Sequence, residues 1–198
     1  MSKTKKSSKL VGIVAAISLI LIVAGACLGL FLSNVDQNAY ALNKLASTSS
    51  VNGLILAFGK SVTIGSEGTV PSWAAFPFAS ISSIGSSGTT YTATAQTGTM
   101  IAYILIFVAA ALTIVAQFFH KGKFGALILF LAGLCAIAGG IMVFFPIQFA
   151  TLENTLYDGI GGKSGIQYVL SIGTYLCGIC TCVGGAAAAI GGVIKLLK

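Results

Sequence analysis

Acid–base and nucleophilic chemistry needs a base within hydrogen-bond reach of the group it activates. The chain offers one histidine, His120, four carboxylates, Asp36, Glu67, Glu153 and Asp158, and five cysteines, Cys27, Cys135, Cys177, Cys180 and Cys182. Two Gly-Lys-Ser triplets, at Gly59 to Ser61 and Gly162 to Ser164, match the tail of a phosphate-binding loop. Such a loop also needs glycine five positions before the triplet, where Leu54 and Tyr157 stand, so neither triplet is read as a nucleotide site. The soft ligands cluster only at Cys177, Cys180 and Cys182. On a helix Cys177 and Cys180 are neighbours while Cys182 lies on another side, so the three do not converge on one metal. The carboxylate spacing fits no calcium loop.

Whether these groups can meet depends on the elements that carry them, and those elements are apolar. The chain is 56% hydrophobic and 8% charged, far from the roughly one-quarter charged residues of a soluble domain. At its centre two uncharged runs, within 99–119 and 124–146, are joined by the turn His120, Lys121, Gly122, Lys123. Each run has about the twenty residues that cross a hydrocarbon core roughly 30 Å thick. Further apolar runs at 10–32 and 168–194 make four expected spans. The first is too long for the apolar core of a cleaved signal. Val23 to Cys27 loosely resembles a lipoprotein signal, but it lacks leucine three positions before Cys27 and continues apolar. Cys27 is therefore read as a small residue in a helix interface.

The net charge of +7 comes from eleven lysines and no arginine. Lys3, Lys5, Lys6 and Lys9 precede the first span, Lys121 and Lys123 fill the turn, and Lys195 and Lys198 follow the last. The positive-inside rule then puts tail 1–9, turn 120–123 and end 195–198 in the cytoplasm, with loops 33–98 and 147–167 outside. This is the pattern of a multi-pass cell-membrane protein with both termini cytoplasmic. The lysine-only basic set suits a low-GC bacterial genome. The charge is a topology signal, and no nucleic-acid partner is expected. It also separates His120 from all four carboxylates by the thickness of the membrane. No catalytic residue, cofactor or metal site is expected, and the chain is not read as an enzyme.

The larger outer loop divides by composition. Asp36 to Ser47 places Ala39, Leu42, Leu45 and Ala46 at helical spacing and predicts an exposed helix. Gly53 to Phe58 and Ser61 to Ile64 suggest short strands, and Tyr91 between threonines suggests another. Val70 to Phe78 is aromatic and punctuated by proline, and Trp73, Phe76 and Phe78 are candidate partner contacts. No cysteine lies in either loop, so disulfides do not staple them. After the hairpin Pro146 should kink or end the third helix, Gln148 to Tyr157 should form a short interfacial helix, and Asp158 to Gly165 a turn.

Small residues recur every four positions inside the spans. They are Gly25 and Gly29, then Ala132, Ala136 and Gly140, then Thr174, Gly178 and Cys182, and finally Gly184, Ala188 and Gly192. That spacing lets membrane helices approach closely. The absence of charge within the spans disfavours ion-coupled transport.

The expected fold is an all-α integral membrane protein. Its core is an antiparallel four-helix transmembrane bundle with a larger first outer loop, holding a short helix and short strands, and a smaller second one. This layout resembles the tetraspan arrangement of claudins. The resemblance is one of topology, because Trp73 stands alone here and no claudin residue carries over. Two functional readings remain. The first is a non-enzymatic membrane protein with a structural, assembly or interaction role, whose partners are the lipid bilayer, further copies of itself or other membrane proteins. The second is an oligomeric pore or channel subunit lined by Gly, Ala and Thr.

Overall fold

The computed structural model describes residues 2–41, 44–65, 68–76, 79–85, 88–119, 122–152 and 166–197. It is mostly helical, and four helices are long and apolar enough to cross a membrane. These are α1 (Ser2–Phe31), α3 (Thr97–Phe118), α4 (Lys123–Met142) and α6 (Ile172–Leu196). Within α1 the membrane-compatible part is Gly12–Phe31. Two short helices, α2 (Gly53–Phe58) and α5 (Pro146–Leu152), and six strands complete the chain. The strands are β1 (Ser33–Ala41), β2 (Lys44–Asn52), β3 (Lys60–Ile64), β4 (Ala79–Gly85), β5 (Gly88–Ala93) and β6 (Ile166–Leu170).

These strands form two three-stranded sheets, ordered β2-β1-β6 and β3-β5-β4. The expected all-α class is thereby corrected to helices plus small sheets. The exposed helix expected over Asp36 to Ser47 is instead the β1–β2 hairpin, with Val35 opposite Val51 and Gln37 opposite Ser49. The segment Ser47 to Val51 is rich in hydroxyl and β-branched side chains, which suit a pleated surface better than a helix. The reverse correction applies to Gly53 to Phe58, which forms α2. A short apolar run has no periodicity that separates strand from helix. Here the decisive signal is the preceding Asn52, whose side chain accepts from the Ile55 N–H at 3.1 Å and caps the helix. Gly59, at φ 71°, closes it by donating to the Ile55 carbonyl. A Cβ there would stand 2.6 Å from the Ala93 carbonyl oxygen.

Strand β3 covers the expected Ser61 to Ile64, and Tyr91 lies within β5. The helix α4 stops at Met142, and Pro146 starts α5, the position where its missing N–H costs nothing. The fourth apolar run begins as strand: β6 lies antiparallel to β1, with Tyr168 opposite Gln37, and α6 starts only at Ile172. The turn expected over Asp158 to Gly165 lies outside the described residues, as does the end of the interfacial helix beyond Leu152.

The chain divides into two compact units, Met1–Leu28 with Ile101–Val143 and Leu176–Lys198, and Gly29–Met100 with Phe144–Tyr175. In the first, a buried cluster joins Ala15 of α1, Ala116 of α3, Ile128 and Leu129 of α4 and Ala188 of α6. In the second, Val35, Val51, Ile55, Leu56, Phe76 and Ala93 form the core, bordered by Val62, Tyr91, Ile147 and Tyr168. The α6 end of this unit is tied to β1 by two bonds to the Asn34 carbonyl, from the Ser171 N–H and the Thr174 hydroxyl, each at 2.8 Å.

Candidate functional site

Four of the expected glycines, Gly25, Gly140, Gly184 and Gly192, stand close to a neighbouring helix. In α6, Gly184 and Gly191 meet α1: a Cβ on Gly184 would lie 3.0 Å from the Ser18 carbonyl oxygen and from Leu21, and one on Gly191 would lie 3.1 Å from Val14. From the other side, a Cβ on Gly25 would be 2.9 Å from Thr181, 3.0 Å from Cys180 and 3.1 Å from the Cys177 carbonyl. The opposite face of α6 meets α4, where a Cβ on Gly192 would reach the Ala126 carbonyl and the Phe130 N–H at 2.8 Å. One on Gly140 would fall within 2.5 Å of the Thr181 hydroxyl and 2.8 Å of the Cys182 sulfur. Ala132, Ala136 and Ala188 are fully buried, and Gly29 and Gly178 are buried too.

Sequence spacing missed other contacts that are as tight. Gly133 would place a Cβ 2.5 Å from both the Ala189 N–H and the Gly185 carbonyl. Its partner Gly185 would place one 2.8 Å from the Gly133 carbonyl. A Cβ on Gly139 would lie 2.8 Å from the Ala102 carbonyl of α3. Gly133 belongs to no four-residue repeat. The available signal was its isolation, since glycine inside a helix costs about 1 kcal/mol against alanine and calls for a packing reason.

The polar side chains inside the helices are turned onto the helices' own backbones. Ser18, Thr113 and Thr181 are fully buried and donate to the carbonyls four residues earlier, at Val14, Ala109 and Cys177, over 2.8, 2.8 and 2.6 Å. The cysteines diverge as expected. Cys177 is buried beside Gly25, whereas the Cys182 sulfur lies 3.9 Å from the Ile137 carbonyl on the α4 side. Cys27 corrects its expectation, because it is exposed. Gly25 and Ala26 occupy the buried side of that turn, and the next residue along points away from it.

In the second unit, Phe76 is only 2% exposed and its ring lies 6.0 Å from that of Tyr168. It supports the core from within and does not offer itself to a partner. An aromatic run between prolines carries no periodicity to tell a core ring from a surface one. Trp73 lies in a single 3₁₀ turn, Ser72–Ala75, and Phe78 is outside the described residues. Burial pushes the Tyr168 phenol above its ordinary pKa.

The outward face of the second sheet carries hydroxyls: Ser61 meets Thr92 at 3.2 Å, Thr63 meets Thr90 at 2.9 Å, and Thr92 donates to Ser82 at 3.0 Å. The other face ends in Ile81 and Ile84, which are exposed.

Asp36 accepts from the Ser33 hydroxyl. His120, Glu67, Glu153 and Asp158 lie outside the described residues. Among the described residues, no group of three or more His, Cys, Asp or Glu side chains is placed to hold a metal. What the arrangement does chemically is bring backbones into contact at glycine seams and turn the buried hydroxyls of Ser18, Thr113 and Thr181 onto their own helices. No protein-family model, curated protein or solved structure matches the chain.

Proposed function

We propose that the protein is a non-enzymatic four-span membrane protein with a structural, assembly or interaction role. The four long helices form an antiparallel bundle in the cell membrane, with the lysine-bearing ends in the cytoplasm and 33–98 and 147–167 outside. Its partners are the bilayer and either further copies of itself or other membrane proteins. The lysine-only composition fits a bacterial source.

One observation carries this reading over the alternative of a pore subunit. The side chains with which a polar path would be lined are already spent. Thr181 is wedged between Gly25 of α1 and Gly140 of α4, with its hydroxyl on the Cys177 carbonyl. Ser18 and Thr113 are engaged in the same way. A water-filled lumen needs such groups turned toward it, whereas close packing of small residues is how membrane helices associate.

The partner-facing surface then falls to the second unit, where Val70, Ile81 and Ile84 are exposed beside the Trp73 turn. Measuring the mass of the protein in lipid nanodiscs tests the role of the seams. The Gly178→Leu variant should lower both the recovered assembly and the melting temperature. Unchanged assembly with altered vesicle permeability would favour the pore.

A further inference from the structure

The basic residues do more than mark orientation. Eight of the eleven lysines belong to three clusters, at Lys3 to Lys9, at Lys121 and Lys123, and at Lys195 and Lys198, and none of the four carboxylates lies among them. The buried cluster of the first unit brings these together. It joins Ala15, Ala116, Ile128 and Ala188, each within about two helical turns of a lysine cluster. The helix ends that adjoin the three clusters in sequence therefore lie at one end of the first unit.

The helix α1 extends this end. It begins at Ser2, eight residues before the apolar run starts at Leu10. At about 1.5 Å per residue along the helix axis, Lys9 stands roughly 1.5 Å beyond Leu10, Lys6 and Lys5 roughly 6 and 7.5 Å, and Lys3 roughly 10.5 Å. Headgroups occupy about 5–7 Å on each side of the hydrocarbon, so the backbone at Lys6 and Lys5 passes through headgroup depth. Lys123 and Phe124 are exposed at the start of α4, and Phe119 packs edge-on against Phe124 with centroids 5.6 Å apart. Aromatic rings interleaved with lysines are how a chain is held at a membrane surface.

We propose that this end of the molecule is a binding collar for anionic phospholipid headgroups of the cytoplasmic leaflet. The complementarity is of net charge, positive on the collar and negative on the lipid phosphate. It rests on the four-span reading. The preference should weaken with salt, because the charges act at the surface within a Debye length.

The test uses the full chain in phosphatidylcholine vesicles carrying a trace of spin-labelled phosphatidylglycerol or phosphatidylcholine, and compares how strongly each label is immobilised. At 50 mM salt the anionic label should associate about fivefold more strongly, the effect of about one lysine. The preference should fall below twofold in 1 M salt, and fall likewise in the K3Q/K5Q/K6Q/K9Q variant. A ratio near one at low salt, or a preference that neither salt nor the variant reduces, overturns the proposal. Impermeant maleimide on Ser2→Cys and Ser83→Cys distinguishes the two levels of failure. Labelling from one side would refute the span count and the collar with it. Labelling from opposite sides with a ratio near one would refute the collar alone.

Discussion

Replacing Gly133 with alanine is the sharpest test of the helix seams, because it adds one methyl where two backbones already touch. The new Cβ would stand 2.5 Å from the Ala189 nitrogen and the Gly185 carbonyl oxygen and 2.8 Å from the Ala189 Cβ. Ordinary contact begins near 3.4 Å, so α4 and α6 must part by about 0.9 Å at this point. The atoms in the way are backbone, not the movable tip of a side chain, and the strain spreads along the seam. Overpacking of this kind costs about 1–3 kcal/mol, offset by up to about 1 kcal/mol because alanine is the better helix former. A net loss of about 1–2 kcal/mol lowers the melting temperature of a chain this size by about 2–8 °C. The control is Gly12→Ala, the same change in α1 where nothing lies within 4 Å, and it should be neutral or slightly stabilising. Thermal unfolding of the two variants in the same detergent makes the comparison. A Gly133→Ala protein as stable as wild type, or as the Gly12→Ala control, would refute the contact. Adding Gly185→Ala should cost less than its effect alone, because both methyls push the same seam apart.

Phe76→Ala should destabilise the second unit by about 3–5 kcal/mol, read by hydrogen exchange over β1, β2 and α2. Ile84→Ala, on a residue 79% exposed, should change little by the same measurement. Asn52→Ala removes the cap of α2 and should cost about 1 kcal/mol, with Asn52→Asp restoring most of it. The response to alkali follows from Tyr168, whose raised pKa means that the folded state holds its proton more tightly than the unfolded chain. That contribution is intact below the ordinary tyrosine pKa of about 10 and is lost as pH rises through the folded value. Thermal melts should therefore fall more steeply above pH 10 in wild type than in Tyr168→Phe.

The long helices were legible because burial in lipid demands a signal that cannot be missed: about twenty apolar residues without charge. Glycines such as Gly25, Gly140, Gly184 and Gly192 were legible as places of close approach, because only a residue without a side chain leaves room there. Isolated contacts such as Gly133 with Gly185 were not, because they depend on which faces meet, and that is a property of the pair and not of either helix.

Outside the helices the signal weakened. Ala39, Leu42, Leu45 and Ala46 fit a helical period, yet β1 is held as a strand between β2 and β6. The β6 partner lies more than 120 residues away in sequence. Tertiary pairing of that range leaves no local trace. Tyr168 to Leu170 was taken into the last span because a buried strand and the start of an apolar helix are alike in composition. Phe76 was misplaced for the same reason, since an aromatic ring reads alike in a core and on a surface.

The central claim is that the bundle is packed and offers no conducting path. Flux through vesicles tests it most directly, with purified protein reconstituted at increasing density and release of potassium, chloride and a small neutral solute followed together. The account predicts rates equal to those of protein-free vesicles for all three. A flux that grows with protein density and changes in Thr181→Val would contradict it, because that hydroxyl would then face a lumen and not the Cys177 carbonyl.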